Sequence, residues 1–326
     1  MVRASRRWRS VTEPVRRRAL TLGLLLVAAV QGAAAEAPVL NGFVLEPSSV
    51  PAEQILMGGP PRDGIAALDG PEAVPADAAE WDDDEPVVGI RIGEESRAYP
   101  LAILVWHELA NDSLGAVPIL VSYCPLCGTA MVFDRRVRSR THRFGVSGLL
   151  YQSDLLMFDR ESESLWSQIR AEALTGPSQG ARLRILRSRI ESWGAWRRRH
   201  PETTVITTRT GHERRYDVSP YGDYAFSERL LYPLERDTRY HPKMPTLGLR
   251  LADGRARGYP AEELARAGGT ASEEFAGRRV RVSYDADEQV FDVEAPGDVE
   301  VIEGFWFAWI AFHPASSVFV APRAEE

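Results

Sequence analysis

Two stretches of this 326-residue chain, far apart in sequence, carry the same landmarks in the same order. The first reads Val88-Gly89-Ile90-Arg91-Ile92 and then Arg97-Ala98-Tyr99-Pro100; the second reads Leu247-Gly248-Leu249-Arg250-Leu251 and then Arg257-Gly258-Tyr259-Pro260. Val121-Ser122-Tyr123 returns as Val282-Ser283-Tyr284, and Val132-Phe133-Asp134 as Val290-Phe291-Asp292. Trp193-x-x-Trp196-x-x-x-His200-Pro201 returns as Trp306-x-x-Trp309-x-x-x-His313-Pro314. Five ordered landmarks make the chain a duplication. Within each copy, alternating apolar runs give way to short helical stretches, which predicts hairpin, helix, hairpin, helix, strand. The expected fold is α+β: internally duplicated, mainly antiparallel β-sheet units with short helices. The two copies are expected to bury their apolar faces against each other.

The first copy spans 87–207 and holds an insertion, 135–192, read as strands turning at Asp159–Ser162. The second, degenerate copy spans 246–321. Residues 208–245 form an irregular crossover between them, and a segment that long without periodicity is often functional. Residues 36–86 are rich in Pro, Gly and acids and read as an irregular N-terminal arm. A helix is expected over about Leu101 to Ala110, stopping near Asn111.

Seven arginines precede the apolar run Ala19–Val30, and Ala33-Ala34-Ala35 supplies a small-residue cleavage site. Residues 1–35 therefore read as a secretory signal peptide, by the general or the twin-arginine route. The apolar run is too short for a spanning helix, so no membrane span is expected in the mature chain. The exported protein is placed in the periplasm or outside the cell. Removing residues 1–35 takes away the seven arginines and Glu13, moving the net charge from −7 to −13. Such a surface argues against nucleic acid and anionic lipid as main partners, leaving a small molecule or a periplasmic protein.

The duplication acts as an internal control. Features present in both copies, such as the Arg-x-Tyr-Pro and Trp-x-x-Trp segments with His200 and His313, are scaffold. Features in one copy only are candidates for chemistry. Cys124 and Cys127, the only cysteines, sit in a Cys-Pro-Leu-Cys-Gly turn between two strands, where the second copy has Asp285-Ala286-Asp287-Glu288. The first copy also has Trp106-His107-Glu108 where the second has Arg266-Ala267-Gly268. Ser153 and Asp154 interrupt an apolar run in the insertion. Ser147 lies in Gly-Val-Ser-Gly, which lacks the spacing of a hydrolase elbow. There is no phosphate-cradling or dinucleotide-binding glycine pattern. Gly128 follows the second cysteine where covalent haem attachment needs histidine.

Trp-His-Glu, Ser-Tyr-Cys-Pro-Leu-Cys-Gly-Thr, Phe-Gly-Val-Ser-Gly-Leu-Leu-Tyr-x-Ser-Asp-Leu-Leu-Met, Ser-Leu-Trp-Ser-Gln and the late His-Pro-Lys together resemble the domain-of-unknown-function family number 3179. That family is bacterial and archaeal and often exported. The resemblance covers about Val87 to Val320. It implies Trp106, His107, Glu108, Cys124, Cys127, Ser147, Ser153, Asp154, Trp166 and His241 as motif positions, with Gln152 where asparagine is usual. It brings no activity.

Three readings follow. In the first, Cys124 and Cys127 are thiolate ligands of a zinc or copper ion, joined by His107 or His241 and by Asp154 or water, for catalysis or delivery. Glu108, Ser153 and Asp154 are the catalytic candidates. In the second, the pair is a dithiol–disulfide oxidoreductase, although the residues after Cys127 read as strand and not as the helix that lowers a thiol pKa. In the third, the pair staples a hairpin in a non-catalytic binding module. The leader is testable by itself. The intact mass of the exported protein should begin at or near Glu36, and a retained Met1–Val30 segment would instead mean a signal anchor.

Overall fold

The computed structural model describes residues 37–322, so the signal-peptide reading of 1–35 lies outside the described residues. Five small, mainly antiparallel sheets with a few short helices form a five-bladed, propeller-like ring. The repeated landmarks fall on equivalent elements. In the first copy, one blade runs Ser188–Ser192, Pro86–Ile92, Glu95–Pro100, Thr204–Ile206 in spatial order. In the second copy, Glu300–Phe305, Pro245–Arg250, Ala256–Pro260 and Ser317–Val318 repeat that order, down to the one parallel pairing at its edge. The remaining strands of each copy make a second blade: Leu109–Leu114, Val117–Cys124 and Thr129–Asp134 in one, Thr270–Phe275, Arg278–Asp285 and Val290–Glu294 in the other. Each duplicated unit is thus two blades. Four helices complete the pattern: α1 (Leu101–His107), α2 (Trp193–Arg199), α3 (Ala261–Arg266) and α4 (Trp306–Phe312).

The insertion builds the fifth blade, from Phe144–Tyr151, Asp154–Asp159, Leu165–Ser167 and Glu172–Ala173. Its last strand, Ser188–Ser192, belongs to the repeat, because it holds the place of Glu300–Phe305 in the second copy. Residues 37–86 do not stand off as an irregular arm. Ile55–Met57, Leu68–Asp69 and Ala73–Pro75 each add an outer strand to a different blade. α1 also ends earlier than its apolar text suggests. Glu108 takes φ +58°, which stops the helix, and Leu109 starts the next strand. Among the described residues, no helix is long and apolar enough to cross a membrane.

Both copies are held by the same two devices. Arg97 pairs with Asp112 at 2.6 Å, and the buried Tyr99 hydroxyl donates to the same carboxylate at 2.7 Å. In the second copy Arg257 and the Tyr259 hydroxyl share Glu273 in the same way, the latter at 2.6 Å. The Arg-x-Tyr text therefore locks a hairpin to the strand beyond the helix. The second device is steric. A Cβ added at Gly89 would lie 2.3 Å from the Trp196 ring, and one at Gly248 would lie 2.0 Å from the Trp309 ring. Each indole fills the space where a side chain is missing, and each packs at a tilt on its histidine, Trp196–His200 and Trp309–His313, with ring centres 4.2 Å apart.

Gly89→Ala and Gly248→Ala should each cost about 1–3 kcal/mol, because a rigid indole is the atom group that would have to move. Thermal unfolding should then fall by roughly 2–4 °C per kcal/mol for a chain of this size. Gly297→Ala, where an added Cβ meets nothing within 4 Å, is the control and should be near neutral. Equal melting of all three variants would remove the steric argument.

Candidate functional site

The cysteine turn joins two strands in tight register, with Cys124 opposite Thr129. The Cys127 N–H donates back to the Cys124 carbonyl at 3.2 Å, and Gly128 supplies the φ of +60° that returns the chain to the sheet. Gly128 is required for a second reason: a Cβ there would meet the Phe305 ring at 2.8 Å. The Phe305 N–H donates to the Cys127 carbonyl at 2.8 Å, so the second copy braces the turn. Both cysteines are buried free thiols.

The insertion supplies what faces them. Strands Phe144–Tyr151 and Asp154–Asp159 are joined by Gln152 and Ser153, at φ +53° and +64°, the two left-handed residues of a tight hairpin turn. That turn points its Ser153 carbonyl at Cys127, whose thiol donates to it at 3.3 Å. Asp154 follows at once. Its carboxylate and the two sulfurs form a fully buried group in which ligand atoms lie within 4.8 Å of one another. The Ile169 N–H donates to Asp154 Oδ2 at 3.1 Å, while Asp154 Oδ1 and the Ser153 hydroxyl are buried with no hydrogen-bond partner. Burial pushes the Asp154 carboxyl up to about 7, against the pull of the Ile169 amide and the Cys124 thiol. Burial also pushes the Cys127 thiol well above its usual value.

The crossover closes over this group. Tyr224 is buried against it, and the Tyr221 hydroxyl donates to Glu108 Oε1 at 3.4 Å. Burial pushes Glu108 up to about 7 as well. Lys243, 4% exposed, places its ammonium 3.7 Å from the Tyr224 ring centre.

The expected convergence of His107 with the thiols is not what forms. Its Nδ1 pairs with the Ala66 carbonyl and its Nε2 with the Tyr216 hydroxyl, both at 2.7 Å, so both ring nitrogens are occupied. Asp154 stands with the cysteines instead. The Trp106 indole donates to the carbonyls of Arg215 and Val218 at 3.1 Å each. Trp106, His107 and Glu108 thus grip residues 215–221 in succession. The second copy has Arg266-Ala267-Gly268 at these positions, and it is the first copy that holds residues 215–221. His241 does not reach the thiols as a ligand either; its Nδ1 accepts the Lys243 N–H at 3.1 Å. Ser147 fills a bulge, its hydroxyl donating to the Leu156 carbonyl at 2.5 Å, and the Trp166 indole donates to Asp159 at 2.8 Å.

A second group of possible ligands, His142, Asp159 and Glu161, is already satisfied. Asp159 accepts from the Ser162 amide and hydroxyl and from Trp166, which leaves it little to offer a metal. The residues that sequence reasoning missed are Tyr221, Tyr224 and Lys243. Lys243 had a signal, as the last residue of His-Pro-Lys.

The model of the family described as "Protein of unknown function (DUF3179)" matches residues 62–296. No curated protein and no solved structure matches.

The raised Asp154 value gives a signed expectation for metal-free protein. Folding favours its protonated form, so that stabilisation is present below the unfolded-state value near 4 and is lost as pH rises through about 7. Asp154→Asn cannot ionise and should gain stability on the wild type across that window, by up to a few kcal/mol. Chemical denaturation at stepped pH in chelator reads it; parallel curves for the two proteins would contradict it.

Proposed function

The chain belongs to the DUF3179 family, and for it we propose an exported protein that binds a zinc or copper ion through Cys124, Cys127 and Asp154. One observation carries the reading: an ionisable carboxylate with an unpartnered oxygen, buried in an apolar core against two free thiols. A buried polar atom without a partner is costly and calls for an explanation, and a cation is the partner that two thiols and a carboxylate share. Thiolate with carboxylate suits zinc or copper over magnesium or calcium. Ligand atoms within 4.8 Å of one another are close enough for one ion to be shared among them at bonds of roughly 2.0–2.3 Å.

Three protein ligands leave a fourth position, which is the pattern of catalytic or metal-transferring sites and not of closed structural ones. Ser153, whose hydroxyl is unpartnered beside Cys127, and Glu108, beneath Tyr221, are the groups available to whatever occupies that position.

The dithiol–disulfide reading has its own support in the position of Asp154, a carboxyl near neutrality that could take a proton from either thiol. The two readings separate on metal content. Elemental analysis of the protein purified without chelator should give about one zinc or copper per chain. That metal should be lost in Cys124→Ser and Asp154→Asn and retained in His107→Ala, whose nitrogens are committed to Ala66 and Tyr216. Wild-type protein that carries no metal and a reversible Cys124–Cys127 disulfide would transfer the assignment to the oxidoreductase.

A further inference from the structure

We propose that Lys243 is the built-in counter-cation of the Cys124–Cys127–Asp154 group, and that the group is accordingly built for a divalent ion; this rests on the metal reading above. Lys243 is 4% exposed and, among the described residues, forms no salt bridge with a carboxylate. Its ammonium donates to the carbonyls of Arg229 at 2.8 Å and Ser227 at 3.4 Å and sits over the rings of Tyr224 at 3.7 Å and Phe307 at 5.4 Å. Carbonyls and ring faces satisfy its hydrogens but carry no net charge. A cation so enclosed is costly unless an anion lies close by.

The anions on offer are those of the cysteine turn. The Lys243 ammonium lies 6.0 Å from the centre of the Phe305 ring, the ring that packs against Gly128 beside Cys127, and Tyr224, over which it sits, belongs to the same buried cluster as both cysteines. The backbone makes this placement firm. The Pro242 carbonyl accepts the Phe307 N–H at 3.0 Å and the Met244 carbonyl accepts the Trp306 N–H at 2.8 Å, so the first turn of α4 pins Lys243 on both sides. The same segment holds the turn, through the Phe305 N–H on the Cys127 carbonyl at 2.8 Å. The second copy therefore fixes both the cation and the thiols relative to one strand end.

Charge counting then selects the ion. Two thiolates and one carboxylate carry three negative charges. A divalent ion leaves one uncancelled, and the Lys243 ammonium removes it. A monovalent ion would leave one negative charge uncancelled among buried groups, where screening is weak. The neutral sum also means that the fourth position is filled by a neutral ligand such as water.

Cobalt(II) is the probe, because its thiolate absorption reports the sulfur ligands directly, with zinc(II) added in competition. Wild type, Lys243→Met, Lys243→Gln and Lys243→Arg are compared as full mature chains, with near-ultraviolet circular dichroism to confirm folding. The neutral variants should bind cobalt about tenfold or more weakly, and Lys243→Arg should stay within about threefold of wild type. Folded Met or Gln variants binding within about twofold of wild type would reduce Lys243 to a staple of the crossover, leaving the metal reading intact. Equal loss in the arginine variant would make its role one of shape and overturn the counter-cation. Wild type that takes no cobalt would overturn the metal reading first, and this inference with it.

Discussion

The bond from the Phe305 N–H to the Cys127 carbonyl joins the two halves of the molecule at the cysteine turn. Everything near the site is referred to it. Gly128 must lack a side chain because the Phe305 ring lies against it, and Gly304 must lack one because Thr129 does. The cysteine turn is consequently not a free loop on one blade but one side of a joint between copies. The second copy, which has an acidic turn in place of thiols, keeps its scaffold and spends it on support. Its strand Glu300–Phe305 braces the cysteines and its helix α4 seats the crossover. Duplication has here produced a division of labour: one copy presents the cysteines and the other holds them still.

The insertion and the crossover divide the remaining work. The insertion delivers Asp154 by way of a two-residue turn whose residues both sit at positive φ, a conformation that leaves little freedom in where the carboxylate points. The crossover supplies aromatic rings and one cation, and is held down by three consecutive residues at the end of α1. These are different physical means to one end. Turn geometry fixes Asp154, and a row of polar anchors fixes the cover.

Much of this was legible in the sequence, for reasons that can be named. The duplication could be read because its landmarks are local: a glycine in a strand, an Arg-x-Tyr-Pro corner, a Trp spaced from His-Pro. What those landmarks touch could not be read. Asp112 and Glu273, the carboxylates that complete the Arg-x-Tyr locks, lie a helix and a turn away and carry no periodic signal. The cysteine pair was evident from its spacing, and Asp154 from its polarity within an apolar run. His107 looked like a third ligand because the second copy lacks it together with the thiols. The two differences have separate places in the structure: the thiols face Asp154, whereas His107 meets Tyr216 of the crossover. Five blades were out of reach for a related reason. The fifth is built from an insertion with no counterpart, and its outer strand comes from pairings such as Leu150 with Leu56 that no local pattern predicts.

The outer strands contributed by residues 55–75 have a temporal consequence. Each is made before the strand it pairs with: Ile55–Met57 before Phe144–Tyr151, Leu68–Asp69 before Leu109–Leu114, and Ala73–Pro75 before Thr204–Ile206. They must therefore wait, unpaired, for strands about 40 to 130 residues further along the chain. Contacts between residues so distant in sequence slow folding and lengthen the life of exposed strand edges. The sequence is fitted to that wait. Pro60, Pro61, Pro71 and Pro75, with Asp63, Asp69 and Glu72 among them, interrupt every run that could pair with the wrong neighbour before the right one arrives.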